Sequence, residues 1–216
     1  MSLNLLFRDE VNGFFRSNVM LVLLIGMPLL AIVMYILTPD LEGMPLGPFT
    51  AVLLSSLAGL LASTTLAVSV VNERTQGVYD LFLVRPVKRS HLLLAKYLAV
   101  VTCVVLAAIL AILLANVYDW SAHGAFDLGG LVQPILTVVT MACVSCAVAV
   151  LVGTLVSSVL VGVIITIYAG NQLCAAIVLT SLFSAMSFEL SALIGIAISA
   201  AVLGVALILF RRRVKS

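Results

Sequence analysis

The segment Leu128–Thr180, LGGLVQPILTVVTMACVSCAVAVLVGTLVSSVLVGVIITIYAGNQLCAAIVLT, contains no charged residue over 53 positions. A single helix of that length would measure about 80 Å, whereas the hydrocarbon core of a bilayer is about 30 Å thick. The segment must therefore fold back on itself. Within it, Gly153–Ser158 has the sequence GTLVSS, and its glycine and three hydroxyl residues favour a turn. The sequence thus predicts two helices, one ending near residue 152 and one beginning near residue 158.

The rest of the chain is equally apolar. Apolar residues make up 63% of the 216 residues, charged residues 9%, and the mean hydropathy is +1.30. Because these values lie far outside the range of soluble globular proteins, we expect an all-α integral membrane protein with a single membrane domain over residues 1–216. One bilayer crossing takes about 20 apolar residues. The apolar runs predict six spans, at residues 19–37, 49–71, 92–117, 128–152, 158–177 and 190–210.

Basic and acidic residues separate under this topology. All eleven basic residues fall on one side of the membrane: Arg8, Arg16, Arg74, Arg85, Lys88, Arg89, Lys96, Arg211, Arg212, Arg213 and Lys215. Four acids fall on the other side with no basic residue among them: Asp40, Glu42, Asp119 and Asp127. An excess of Lys and Arg marks the cytoplasmic side. The charges therefore predict a multi-pass protein of the cytoplasmic (inner) membrane, with both termini and the 72–91 loop in the cytoplasm. Such loops suit anionic lipids rather than nucleic acid.

The stretch before the first span, Leu5–Arg16, alternates apolar and charged residues in the sequence LLFRDEVNGFFR. This pattern is typical of a helix that lies along the membrane interface. A solvated tail is the alternative.

Motifs for autonomous catalysis are missing from the sequence. It contains no Gly-x-x-x-x-Gly-Lys phosphate loop, no His-Glu-x-x-His pair and no Gly-x-Ser-x-Gly elbow. His91 and His123 fall at opposite membrane faces, so they cannot share a site, and an intramembrane protease would need a histidine within the membrane. Cys143 and Cys146 lie in mid-span without a second ligand pair, so we expect them to pack as apolar residues. The chain is not expected to be an enzyme or to hold a cofactor or metal.

Polar residues within the spans are the remaining candidates for a transport path. Hydroxyl residues of the second span are expected to bond to their own helix. Asn171, Gln172 and Glu189 are more costly to place in lipid, and we predict that they mark the outer mouth of a path. For Glu189, an ordinary acid at the interface is the alternative.

The segment Asn72–Tyr97, NERTQGVYDLFLVRPVKRSHLLLAKY, connects the second and third spans. It contains, in order, Glu73, Arg74, Gly77, Asp80, Pro86, Arg89 and Lys96. This order resembles the permease subunits of type 2 ATP-binding cassette (ABC) exporters, which have Glu-Arg-x-x-Gly-x-x-acid, then Pro-x-x-Arg, then a Lys that opens the third span. Gln76 stands where the family commonly has a charge, Val78 where it has threonine and Asp80 where it has glutamate.

The resemblance extends beyond this loop. Residues 7–30, with Glu10 and Pro28, are similar to the interfacial helix and first span of that family, and the length and the basic C-terminus also agree. In the family, the segment between spans five and six often forms short re-entrant helices. Residues 174–190 correspond to it here.

The resemblance implies a function. Residues 73–84 would form a cytoplasmic coupling helix that docks on an ABC ATPase subunit, with Glu73 and Arg74 making the charged contacts. The chain would then be the permease of an ATP-driven exporter for an apolar or amphipathic substrate, paired with a second permease as a homo- or heterodimer. ATP hydrolysis would take place on the separate ATPase. The alternatives are a basic loop that only obeys topology rules, and an ion-coupled carrier or non-catalytic scaffold without an ATPase.

Overall fold

The computed structural model describes residues 3–37, 46–77, 89–123, 131–182 and 187–213, and their regular structure is helical throughout. The helices are α1 (Leu3–Phe15), α2 (Asn18–Leu37), α3 (Leu46–Thr75), α4 (Arg89–His123), α5 (Val132–Leu155), α6 (Val159–Leu182) and α7 (Phe188–Arg213). Five of them, α3 to α7, contain stretches long and apolar enough to cross a membrane, and the bent pair α1–α2 brings the number to at most six. The described residues thus have the fold of a helical membrane protein.

Helix α5 is the centre of the bundle. It packs against α3, α4, α6 and α7, and 67% of its apolar span is buried, against 28% for α6 and 22% for α7. Its inner faces consist largely of small residues such as Ala142, Ala147 and Ala149. Small side chains let helix backbones approach closely, which is how helices associate in lipid. Helices α6 and α7 therefore lie at the periphery.

The break predicted within GTLVSS is confirmed, because α5 ends at Leu155 and α6 begins at Val159. Gly153, however, is not part of the turn. It lies in the last helical turn of α5, where a Cβ atom would come within 2.9 Å of the Cβ of Val70 on α3. Its missing side chain thus permits the close approach of α3 and α5.

Helix α3 extends past the predicted end of the second span at Val71. It continues through Glu73 and Arg74 to Thr75, so these residues belong to α3 and not to a new helix that begins at Glu73. The remainder of the expected coupling helix, residues 78–84, lies outside the described residues. With 30 residues in α3 and 35 in α4, both helices are longer than the roughly 20 residues that a bilayer requires.

Gly77 terminates α3. Its φ of 66° lies in the left-handed region, which glycine adopts without steric cost. Its N–H donates to the carbonyl of Arg74 at 3.3 Å, the bond expected of a glycine just past a helix end. The need for a left-handed residue at the end of α3 therefore explains why glycine occurs at position 77.

Ser17 separates α1 from α2, which meet at an angle of 65°. Its hydroxyl accepts a hydrogen bond from the N–H of Met20 at 3.3 Å and donates to the carbonyl of Phe14 at 2.6 Å. This is an N-cap for α2. The helix predicted over residues 5–16 is confirmed as α1, while its position along the interface remains a prediction.

Residues 174–182, the first half of the expected re-entrant segment, instead continue α6 without a break. Cys174, Ile177 and Val178 follow helical spacing and bury one stripe against Met141 and Val144 of α5. This packing favours the continuous helix. Helix α7 begins at Phe188, and residues 183–186 lie outside the described residues.

Candidate functional site

The ends of α3 and α5 meet at one end of the bundle, here named the loop end. The Nη1 atom of Arg74, near the end of α3, donates a hydrogen bond of 2.6 Å to the carbonyl oxygen of Thr154, near the end of α5. The final carbonyls of a helix have no partner within it and attract cations. The contact places the break at 156–158 at the same end as the segment that connects α3 to α4, as the predicted topology requires.

A buried lysine organises the loop end. The Lys96 side chain is only 6% exposed, and its Nζ donates to Oε1 of Glu73 and, at 2.9 Å, to the hydroxyl of Ser69. Ser69 itself donates to Oε1 of Glu73 at 3.1 Å, and Oε1 of Glu10 lies 3.8 Å from Nζ. These four residues, named the charged cluster, connect α1, α3 and α4. A buried ammonium is tolerated only when it is paired and hydrogen-bonded in this way.

The charged cluster carries more acid than base. Two carboxylates face one ammonium, so its formal charge is −1 when both are ionised. Burial raises the pKa of Glu10 above its ordinary value of 4.5, Lys96 opposes this shift, and the charges of Glu73 and Asp9 add to it. Burial therefore disfavours the ionised form of Glu10 relative to a carboxyl in water.

The predicted docking residues have different positions. Glu73 and Lys96 come together in the charged cluster, Arg74 binds the end of α5, and Gly77 terminates α3. Arg89 is the first residue of α4.

The other two, Asp80 and Pro86, lie outside the described residues. At the end of α3 the exposed residues are Asn72, Thr75 and Gln76, whereas Glu73 and Arg74 are partly buried against their own chain. The two charges expected to contact a partner therefore have partners within the chain.

Glu10 and Ser69 are the members of the charged cluster whose role the sequence did not reveal. Hydroxyl residues of the second span were expected to bond to their own helix, and this is confirmed for Ser69, which donates to Glu73 of the same helix. It is also confirmed for four others, which donate to carbonyls three or four residues earlier: Ser56, Ser63, Thr64 and Thr65. The sequence did not reveal that Ser69 also accepts a hydrogen bond from Lys96 of α4. The available signal was spacing, because Ser69 stands four residues before Glu73 on one helical face.

The predicted outer-mouth residues do not form one group. Asn171 and Gln172 are exposed halfway along α6, roughly 15 to 20 Å from either end of that helix. Glu189 is exposed in the first turn of α7. Since α6 continues to Leu182, five residues past its predicted end, the amides lie at mid-helix, and their place at an outer mouth remains a prediction.

A second polar contact holds an adjacent face of α4. The hydroxyls of Tyr97 and Ser199 lie 2.9 Å apart, and the carbonyl oxygen of Cys143 is 3.2 Å from the first and 3.1 Å from the second. This contact connects α4, α5 and α7. Lys96 and its neighbour Tyr97 thus hold α4 from two sides.

The histidines and cysteines form no centre in the part of the chain that the structure describes. His91 and His123 stand near opposite ends of α4, about 48 Å apart along its axis, so they cannot share a site. Their placement at opposite membrane faces remains a prediction. Cys146 is fully buried in α5. Among the described side chains, no three of His, Cys, Asp and Glu lie close enough together to hold a metal ion.

No protein-family model matches the chain, and no curated protein sequence matches it. The function is therefore inferred from the residues of the chain and their contacts.

Proposed function

We propose that the chain is the permease subunit of a type 2 ABC exporter in the cytoplasmic membrane, a six-span protein with both termini in the cytoplasm. It would work as a dimer of permeases with two separate ATPase subunits. The observation that carries this proposal is the charged cluster, because it lies directly beside the segment whose residues resemble the docking loop of that family.

The contacts at the loop end suit the transmission of force. Residues 78–88 connect α3 to α4, the charged cluster holds the end of α3 to α4 and α1, and Arg74 holds it to α5. A displacement of the loop would therefore move several helices together. In the proposed mechanism, ATP binding closes the ATPase pair, pushes the two loops toward each other and opens a path between the permeases.

The internal contacts of Glu73 and Arg74 favour other residues as the proposed contacts of the ATPase. Glu73 and Arg74 are already paired within the chain, and using them for docking would take from Lys96 its nearest carboxylate and from the end of α5 its hydrogen bond to Arg74. We assign them instead to holding the helix ends. Docking then falls to exposed residues such as Gln76 and to the loop itself, including Asp80.

Two exposed side-chain amides of α6 favour the proposal that a second permease packs against this helix. Asn171 and Gln172 are exposed at mid-helix, and uncompensated amides in hydrocarbon cost several kcal/mol. A second permease packed on this face would give them partners and would place them at the proposed path. Fixed charges are few along the exposed apolar faces of α6 and α7, which favours an apolar or amphipathic substrate.

Co-purification with an ABC ATPase encoded beside this reading frame tests the proposal. We expect the wild-type chain to retain the ATPase and Asp80→Arg to lose it. Asp9→Arg, the same charge change at an exposed position on α1, is the matched control and should retain it. Glu73→Arg is unsuitable, because it would break the charged cluster.

Failure of the wild-type chain to bind, or equal binding by Asp80→Arg, contradicts the proposal. Substrate flux in vesicles without ATP would favour the ion-coupled carrier instead.

A further inference from the structure

A partly open cavity of about 290 Å³ adjoins the charged cluster. Residues of α1, α2, α3 and α4 line it. Glu10, Glu73 and Lys96 lie at one side, and Phe14, Leu66 and Val100 supply apolar wall. The volume is close to the lower end of small-molecule pockets, which begin at about 300 Å³.

The cavity offers acceptors and hardly any donors. The Lys96 ammonium donates two hydrogen bonds, to Glu73 and Ser69, and Oε1 of Glu10 lies 3.8 Å from its Nζ as an ion pair. Its charge is thus already faced by two carboxylates, which disfavours an anion at this site. The carboxylates, in contrast, can each accept several bonds, and Lys96 occupies only part of that capacity.

The hydroxyl groups in the wall follow the same pattern. Thr65 donates its proton to the carbonyl of Ala62 at 2.9 Å, and Ser17 donates to that of Phe14 at 2.6 Å. Each hydroxyl therefore faces the cavity with lone pairs rather than with a free proton. Among the described residues that line the cavity, Lys96 is the only cation, so the excess charge is negative.

We propose that this cavity binds the primary ammonium group of a small amphiphilic amine, with the ammonium beside Glu10 and Glu73 and the apolar body against Phe14 and Leu66. An ammonium supplies the three donors that the lining lacks, and it neutralises the excess charge of the cluster. Two partly buried carboxylates that share one lysine gain more from a cation than from a neutral group. The site does not depend on the transport function.

Binding should also respond to pH. A bound ammonium favours the ionised form of Glu10, whose pKa burial raises. The affinity for the amine should therefore increase as the pH rises through the pKa of Glu10. Lys96 and Glu73 face this carboxyl from α4 and α3, and Asp9 is its neighbour on α1.

Equilibrium binding of radiolabelled 2-phenylethylamine tests the site. The full chain is used in phosphatidylcholine nanodiscs, without ATPase or ATP, so the outcome is independent of docking and transport. We expect saturable binding that neither 2-phenylethanol nor 3-phenylpropionate displaces. Glu10→Gln should weaken it about tenfold or more, since a charge-assisted hydrogen bond contributes about 1.5 to 3 kcal/mol. Glu189→Gln, the same change at an exposed acid on α7 away from the cavity, should leave it unchanged.

A second pair of variants tests the cavity itself. Gly13 lines the cavity, and a Cβ atom there would meet nothing within 4 Å, so Gly13→Leu should fill the space without a backbone clash. It should abolish amine binding, whereas Asn12→Leu, on the exposed side of α1, should not. Displacement by the neutral alcohol, or unchanged binding by both Glu10→Gln and Gly13→Leu, overturns the proposal.

A comparison of nanodiscs with different lipids shows whether the bound ammonium belongs to a lipid headgroup or to a soluble amine. Weaker amine binding in discs that contain phosphatidylethanolamine would assign the site to the lipid headgroup, which competes for it. Equal affinity in both kinds of disc would assign it to soluble amines.

Discussion

Lys96 is the residue on which the loop end depends, since its ammonium is the shared partner of acids from α1 and α3. The sequence shows that Lys96 lies near the start of the third span, but it does not predict which acids pair with it. Glu10 stands 86 positions earlier in the chain, and the contact exists only after α1, α3 and α4 have packed. Hydropathy carries no information on such pairs. The i, i+4 spacing of Ser69 and Glu73 is the one local signal.

Replacement of Lys96 by methionine should destabilise the chain at neutral pH. Breaking a buried ion pair costs about 3 to 5 kcal/mol, and the partial exposure of Glu73 should reduce this to about 1 to 3 kcal/mol. Thermal unfolding of the purified variant measures the loss.

The pH dependence of that loss has a definite sign. Glu10 has a folded pKa above 4.5, so the stability it contributes is present below that value and declines as the pH rises through the folded pKa. Without Lys96 the folded pKa rises further, because the ammonium that lowers it is gone. The variant should therefore lose less stability at pH 5 than at pH 8. Equal losses at both values would contradict the assigned role of the charged cluster.

At the scale of the helices, the hydropathy pattern predicts the segments and the caps determine their ends. The second span was predicted to end at Val71, where the apolar run ends, but α3 continues to Thr75 because Glu73 and Arg74 find partners on other helices. Its end is determined by Gly77, and the start of α2 by Ser17. Of the segment that the family resemblance assigns to re-entrant helices, residues 174–182 continue α6, and residues 183–186 lie outside the described residues. The stripe around Cys174 packs on α5 only if α6 continues.

Close packing of α7 on α5 gives a prediction for two glycines of one helix. A Cβ atom on Gly195 would overlap the methyl group of Thr140, whereas one on Gly204 would meet nothing within 4 Å. Gly195→Ala should therefore cost about 1 to 3 kcal/mol through overpacking. Gly204→Ala should be neutral or stabilise by about 0.5 to 1 kcal/mol, as glycine is a poor helix residue.

Unfolding of both variants in the same detergent provides the comparison. A similar stability of the two proteins would show that α7 does not pack on α5 through Gly195.

For the whole molecule, the uncharged 53-residue segment and the basic residues predict a helical bundle with the 72–91 loop and the 153–158 turn at the same end. The contact of Arg74 with Thr154 agrees with this arrangement. The sequence could not predict where along the helices the polar side chains that are unfavourable in lipid would lie. Asn171 and Gln172 are predicted to mark an outer mouth, and the structure adds that they are exposed midway along α6, where a second permease is their proposed partner.

Site-specific photocrosslinking in membranes tests the central claim, that an ABC ATPase docks at the loop end. A photoreactive residue replaces either Gln76, just past α3 at the loop end, or Gln133, at the start of α5 and so at the opposite end of the bundle. Both are exposed glutamines. The account predicts a crosslink to the co-expressed ATPase from position 76 and none from position 133. No crosslink from position 76, or one of equal yield from position 133, would contradict it.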